Sequence, residues 1–117
     1  MEDKRVLIVD DEVLFAMDLE ARLKVRGYQV AGLAARGEEA VKLARETDPD
    51  CILMDIRLAG NMDGITAAEK IREFSRAPIV FITGYSSADI LDCIADMPDT
   101  QVLNKPFTSQ DLIQFIN

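Results

Sequence analysis

The pattern that organises this chain is clearest in Val6-Leu7-Ile8-Val9-Asp10-Asp11-Glu12, where four apolar residues give way to three acids. A continuous apolar run, without alternating polar residues, is typical of a strand covered on both faces, as in a parallel sheet flanked by helices. Similar segments recur at roughly 20 to 28 residue intervals. They are Tyr28–Leu33, Cys51–Met54, Ile79–Ile82 and the weaker Gln101–Leu103.

Between these segments, apolar residues recur at helical spacing and are bounded by capping and helix-stopping residues. We expect helices at Glu12–Arg26, Gly37–Glu46 and Asp63–Phe74. A fourth helix, capped by Ser86 or Ser87, would carry Ile90, Leu91 and Ile94. A fifth, capped by Thr108 or Ser109, would carry Leu112, Ile113 and Ile116. Strands that alternate with helices predict an α/β fold with a doubly wound five-stranded parallel sheet. The 117 residues are interpreted as one domain, residues 1–117.

The composition excludes several classes of function. The chain has no histidine, which removes Ser-His-Asp and Cys-His catalysis, imidazole-ligated zinc and a phosphohistidine of its own. Its 13 basic and 21 acidic residues give a formal charge of -8, which disfavours nucleic-acid binding and favours a cation or a basic partner surface. No apolar run is long enough for a signal peptide or a membrane helix, so we expect a cytoplasmic protein.

The two cysteines, Cys51 and Cys93, are far apart in the sequence and lack CxxC spacing. We interpret both as reduced thiols in the core of a cytosolic protein. A metal-binding or redox pair is the alternative.

Chemically useful side chains follow four of the apolar segments directly. They are Asp10-Asp11-Glu12, Asp55, Thr83-Gly84 and Asn104-Lys105-Pro106. In open α/β sheets, ligands bind beyond the carboxyl ends of the strands. With the flavodoxin-like strand order 2-1-3-4-5, the strand before Asp55 is central and these groups converge.

Crowded carboxylates require a cation or a raised pKa, and an oxygen-only cluster suits Mg²⁺. Asp55, at the centre, is the expected nucleophile that takes a phosphoryl group to form an acyl phosphate. Lys105 would neutralise the developing charge and Thr83 would donate a hydrogen bond to the same group. Each signal alone also has a structural explanation: an acidic helix N-terminus, a turn aspartate, a strand-ending Thr-Gly turn, or a solvated Lys-Pro loop. Their occurrence at four strand ends together favours the site.

With these residues in place, the chain resembles the receiver domain of bacterial two-component response regulators over essentially its whole length. The matching residues are Asp10-Asp11, Asp55, Thr83, Lys105-Pro106 and Met62-Asp63-Gly64. The resemblance implies that Mg²⁺ is held by Asp11 directly, Asp10 largely through water, Asp55, and the backbone carbonyl of Arg57. It also implies that a partner histidine kinase donates the phosphoryl group to a chain that lacks histidine, and that the Lys105-Pro106 bond is cis.

Three features depart from the common receiver pattern. Val102 stands where receivers usually have the aromatic residue of the switch. Ala59 replaces the usual proline after the acceptor aspartate, and residues 60–64 make a loop that looks one residue longer. The sequence Pro78-Ile79-Val80-Phe81-Ile82-Thr83-Gly84-Tyr85 is similar to the Pro-Phe-x-Phe-Ala-Thr-Gly-Tyr signature of a receiver subgroup. Members of this subgroup are often single-domain proteins paired with kinases of the HWE or HisKA2 type. The subgroup also lacks the usual aromatic switch residue.

This subgroup resemblance suggests an output route from Thr83 into the fourth helix, with Gly84 as the flexible point and Tyr85 as the reporter. Tyr85 as a merely half-buried aromatic is the alternative. The partner surface is expected on the fourth helix, fifth strand and fifth helix.

Three functions follow from the same residues. The first is a phosphoacceptor that signals through a partner protein or acts as a phosphate sink. It is expected to catalyse only its own phosphoryl transfer and slow autodephosphorylation, and is not an enzyme with turnover of outside substrates. The second is an aspartate-nucleophile phosphatase of haloacid-dehalogenase type. It is disfavoured because that family places its nucleophile after the first strand in an Asp-x-Asp-x-Thr motif, whereas Val13 and Leu14 follow the acids here. The third is a receiver-like interaction module that has lost phosphorylation.

Overall fold

The computed structural model describes residues 4–84 and 88–116. Its strands are β1 (Arg5–Val9), β2 (Gln29–Ala34), β3 (Cys51–Asp55), β4 (Ile79–Thr83) and β5 (Thr100–Asn104). Its helices are α1 (Val13–Val25), α2 (Gly37–Thr47), α3 (Gly64–Arg72), α4 (Ala88–Ala95) and α5 (Ser109–Ile116). All strand pairs are parallel and the strand order is β2-β1-β3-β4-β5, which confirms the predicted doubly wound fold.

The sheet separates two hydrophobic cores. Successive strand residues point to opposite faces, so Leu7 and Val9 of β1 enter one core and Val6 and Ile8 enter the other. Helices α2, α3 and α4 cover the first core, and α1 and α5 cover the second. The central strands β1, β3 and β4 are therefore buried on both sides, as their continuous apolar runs predicted.

Helix ends follow the local sequence closely. Gly27 after α1 has φ of 88°, a left-handed conformation that suits glycine at a helix stop. Asp63 caps α3 by accepting a hydrogen bond from the Thr66 amide at 2.8 Å. At α5, the Thr108 hydroxyl accepts a hydrogen bond from the Asp111 amide, and the Asp111 carboxylate accepts one from the Thr108 amide, each at 3.0 Å. Of the two predicted caps, Thr108 is therefore the one that caps this helix. The predicted Ser86 or Ser87 cap of α4 lies outside the described residues.

The interpretation of both cysteines as core thiols is wrong for one of them. Cys51 is buried in β3, and burial raises the pKa of its thiol to about 11. Cys93 is exposed on α4, because that short helix buries only Ile94 and packs Ile90 partly against the same core, while Cys93 lies on its outer side. Leu91, also assigned to the apolar face of this helix, is 45% exposed.

The third helix is shorter than predicted. It ends at Arg72, where the guanidinium group donates to the backbone oxygens of Ser75, Ala77 and Pro98. Phe74 therefore lies beyond the helix and is 37% exposed, with the Arg45 guanidinium 4.6 Å from its ring centroid. No helix within residues 4–84 and 88–116 is long and apolar enough to cross a membrane.

Candidate functional site

Asp10 is the most buried acid of the site. It follows β1 directly, and its amide donates to the Ala34 carbonyl at 2.9 Å, which ties it to the neighbouring strand β2. Its carboxylate accepts a hydrogen bond from the Glu12 amide at 2.8 Å. The residue is only 4% exposed, and burial raises the pKa of its carboxyl group. The turn into α1 therefore holds this side chain in a fixed orientation.

Three carboxylates converge at the carboxyl edge of the sheet, as the sequence predicted. One oxygen each of Asp10, Asp11 and Asp55 lies within 4.8 Å of the others. Burial, followed by the nearby charge of Asp10, raises the pKa of Asp55 to about 6. Ionising all three acids together is therefore costly unless a cation lies among them. An oxygen-only donor set of this kind fits a hard divalent cation such as Mg²⁺.

Lys105 brings the positive charge of the site. Its ammonium Nζ lies 3.9 Å from Asp10 Oδ2 and 3.9 Å from Glu12 Oε1. The Lys105 amide donates to the Thr83 carbonyl at 2.8 Å, so β4 and β5 hold this lysine and the buried Thr83 beside each other. The Lys105-Pro106 peptide bond is cis, as the resemblance implied.

These groups surround an open cavity of about 420 Å³. It is lined by Asp11, Glu12, Asp55, Arg57, Thr83, Gly84 and Lys105. The sequence-predicted acids, hydroxyl and amine thus come together in one place. Sequence reasoning missed Phe15, whose ring centroid lies 4.2 Å from the Lys105 ammonium. Its position one helical turn after Asp11 was the available signal, but its apolar character assigned it to the core.

Near Asp55, the loop between β3 and α3 is held by contacts between the end of β3 and the start of α3. The Arg57 amide lies 3.3 Å from Asp55 Oδ1, and the Gly64 amide donates to the Ile56 carbonyl at 2.7 Å. A Cβ atom on Gly64 would stand 2.0 Å from the Asp55 carbonyl oxygen. Only glycine fits there.

The far side of this loop is fixed against the β2–α2 turn. Ala59 forms an isolated parallel bridge with Arg36, and the Met62 side chain packs directly on Gly37. Gly60 has φ of 90°, which lets the chain turn between these two contacts. The loop that lacks the usual proline is therefore anchored by neighbouring backbone instead.

Of the positions assigned to switching, Thr83 and Gly84 lie at the end of β4, and Val102 lies in the middle of β5. Gly84 is exposed, with open space where a Cβ would stand. Val102 is paired with the fully buried Phe81, and both contribute to the core under α4. The aromatic bulk beside Val102 therefore comes from the neighbouring strand. Tyr85, the suggested reporter, lies outside the described residues.

The chain matches the family of the response regulator receiver domain over residues 6–117. The transcriptional regulatory protein PdtaR of Mycobacterium tuberculosis is 42% identical over 113 residues, which are 97% of this chain and 55% of that protein. The signal receiver domain of a modulated diguanylate cyclase from Desulfovibrio desulfuricans superposes with a TM-score of 0.90 at 34% identity, covering 98% of this chain and 91% of that one.

A third similar protein bears on the acidic cluster. The receiver domain of the sensor histidine kinase PA1611 from Pseudomonas aeruginosa has a TM-score of 0.85 at 32% identity over 98% of this chain and 95% of that one, and its structure holds a magnesium ion in the active-site cleft. The chain belongs to the receiver domain family of two-component response regulators. It spans about half the length of the curated relative PdtaR.

Proposed function

We propose that Asp55 accepts a phosphoryl group from a phosphohistidine of a partner sensor kinase or phosphotransfer protein, in a Mg²⁺-dependent reaction. The observation that supports this most directly is the convergence of the Asp10, Asp11 and Asp55 oxygens within 4.8 Å, with Lys105 3.9 Å from Asp10. Receiver domains take phosphoryl groups from such partners, and a phosphohistidine donor must lie outside these 117 residues, which contain no histidine.

The proposed metal ligands are the carboxylates of Asp10, Asp11 and Asp55 together with the backbone carbonyl of Arg57. When bound, Mg²⁺ supplies charge neutralisation at the phosphoryl oxygens and opposes the repulsion among the acids. The raised pKa of Asp55, about 6, still leaves the carboxylate mostly ionised near neutral pH, as a nucleophile requires.

Each of the other residues has one task in the transfer. An Asp55 oxygen attacks phosphorus while the bond from phosphorus to the donor breaks with its electron pair on the donor. The Lys105 ammonium, only 24% exposed at its side chain, balances the negative charge gained at this site. Thr83, buried at the end of β4, donates its hydroxyl to a phosphoryl oxygen.

We expect the reaction to be stoichiometric, so the chain is a signalling module and not an enzyme with sustained turnover. The donor is proposed to be a kinase of the HWE or HisKA2 type on the strength of the Thr83-Gly84-Tyr85 motif. A cytoplasmic location and a downstream protein partner stay predictions from the sequence.

The proposed output route runs from Thr83 through Gly84 into α4. Its support is that α4 is weakly anchored: of its residues only Ile94 is buried, with Ile90 packed partly against the same core as Val102. Amide exchange should therefore change across residues 84–94 when the site carries a phosphoryl mimic. Unchanged protection there would refute this route.

The proposed function is tested by incubating the chain with Mg²⁺ and acetyl phosphate and measuring its intact mass. We expect a gain of one phosphoryl group per chain that requires Mg²⁺ and is absent in Asp55→Asn. Asp92→Asn, an exposed site on α4, is the matched control and should be modified like wild type. Phosphate release that persists in Asp55→Asn would support a phosphatase instead, and a chain that gains no mass would support an interaction module.

A further inference from the structure

Lys105 is held by more than its acidic neighbours. Its Nζ is 3.9 Å from one oxygen of Asp10 and 3.9 Å from one oxygen of Glu12, and both distances exceed the range of a hydrogen-bonded ion pair. Glu12 is 70% exposed at its side chain, so water screens its attraction strongly. At these distances the carboxylates attract the ammonium group but form no hydrogen bond that fixes its position.

The face of an aromatic ring supplies the remaining contact. The Lys105 ammonium stands 4.2 Å from the centroid of the Phe15 ring, well inside the ~6 Å range of a cation–π interaction. Phe15 is partly buried in the first turn of α1, so the contact is only partly hydrated. A cation on a ring face is worth more as water is removed from it.

The ring itself is fixed by a second aromatic. Phe107 meets Phe15 edge to face, with centroids 6.2 Å apart and an interplanar angle of 84°. Both rings also pack on the core beneath α1 and α5. Phe15 therefore presents one fixed face toward the acidic cavity, and the lysine rests between that face and Asp10.

We infer that Phe15 is a positioning residue for Lys105: its ring holds the ammonium at the rim of the cavity, ready to reach a phosphoryl group on Asp55. This inference rests on the proposed function of Asp55 and adds a residue that the chemistry of the acids does not call for. An aliphatic side chain at position 15 fills the same core but releases the ammonium to solvent. The ammonium group must then be repositioned during phosphoryl transfer, which raises the free-energy barrier of that step.

Nuclear magnetic resonance of lysine-labelled protein tests the contact directly. A ring face shifts nearby protons upfield, so the Lys105 Hε resonances, assigned with Lys105→Arg, should be upfield in wild type and in Phe15→Tyr. They should return to ordinary positions in Phe15→Leu. An upfield shift retained in Phe15→Leu would overturn the inference.

The kinetic test measures mass gain with acetyl phosphate at saturating Mg²⁺. Loss of the ring should slow phosphorylation about two- to fivefold in Phe15→Leu, while Phe15→Tyr keeps the wild-type rate. Phe74→Leu is the matched control, because its ring also carries a cation but at Arg45, and its rate should not change. An unchanged rate in Phe15→Leu, or an equal loss in Phe15→Tyr, would contradict positioning by the ring. A wild-type chain that gains no mass would refute the proposed function instead, and the resonance shift would still decide the contact.

Discussion

Replacing Asp55 by asparagine should make the metal-free protein more stable near neutral pH, although it removes the proposed acceptor. Burial and the charge of Asp10 raise the pKa of Asp55 from 3.8 to about 6, so folding makes its ionisation harder. Asparagine is close in shape, carries no charge, and keeps a carbonyl oxygen for the Arg57 amide that lies 3.3 Å away. The substitution therefore removes the unfavourable charge with little change in packing.

The magnitude follows from the pKa shift. A difference of about two units corresponds to ~3 kcal/mol at 1.36 kcal/mol per unit. Asp55 is partly exposed, so screening by solvent reduces this to ~1–2 kcal/mol. For a domain of this size, that is a rise in midpoint temperature of ~4–8 °C.

The pH dependence has a definite sign. Because the folded pKa of Asp55 is above the unfolded one, the native state binds its proton more tightly, and wild type loses stability as pH rises from about 4 to about 6. The Asp55→Asn variant has no such loss. The difference in unfolding free energy between Asp55→Asn and wild type should reach its full size near pH 7.5 and should almost vanish by about pH 4.

Thermal unfolding followed by circular dichroism in the presence of EDTA measures this gap, since the chain has no tryptophan for fluorescence. Asp92→Asn changes the net charge equally at an exposed position and should show a much smaller effect. An Asp55→Asn variant no more stable than wild type near neutral pH, or a gap independent of pH, would refute the electrostatic account.

Three further predictions concern the metal, the loop and the thiols. Mg²⁺ should raise the midpoint temperature of wild type clearly more than that of Asp55→Asn, and equal shifts would contradict the proposed ligand set. Gly64→Ala should destabilise the fold by ~2 kcal/mol or more and weaken Mg²⁺ binding in calorimetry, because its Cβ meets the Asp55 carbonyl at 2.0 Å. Gly32→Ala, whose Cβ has only ordinary contacts from 3.4 Å, is its control and should fold normally. A thiol reagent should label Cys93 rapidly in the native chain and Cys51 only after unfolding; fast labelling that survives Cys93→Ser would be the contrary result.

The fold could be predicted from the sequence because helices cover both faces of the sheet, which leaves continuous apolar runs in the central strands. Continuous apolar runs such as Cys51–Met54 identify a central strand, and the carboxyl-edge rule then brings Asp55 near Asp10 without any knowledge of coordinates. Both expectations are confirmed. Cys93 was assigned to the core because it lies among the apolar residues Ile90, Leu91 and Ile94 in the sequence, but within α4 only Ile94 is buried and Cys93 is exposed.

Contacts that depend on the approach of separate segments could not be predicted from the sequence. The need for glycine at position 64 arises from the distance between α3 and the end of β3, and sequence patterns do not encode such a distance. The same holds for the Lys105 ammonium on the Phe15 ring, which joins β5 to α1 across 90 residues of chain. In the sequence, Phe15 has the pattern of an ordinary core residue. Only its contact with Lys105 in the folded chain suggests that it also positions that side chain.

The most direct test of the account is the location of the phosphoryl group. Borohydride reduces an aspartyl acyl phosphate to homoserine, which peptide mass spectrometry identifies by position. After incubation with Mg²⁺ and acetyl phosphate, we expect homoserine at position 55 and its loss when Mg²⁺ is chelated. Trapping at Asp10 or Asp11 instead, or no trapping at any aspartate of a folded chain, would contradict the assignment of Asp55 as the phosphoacceptor.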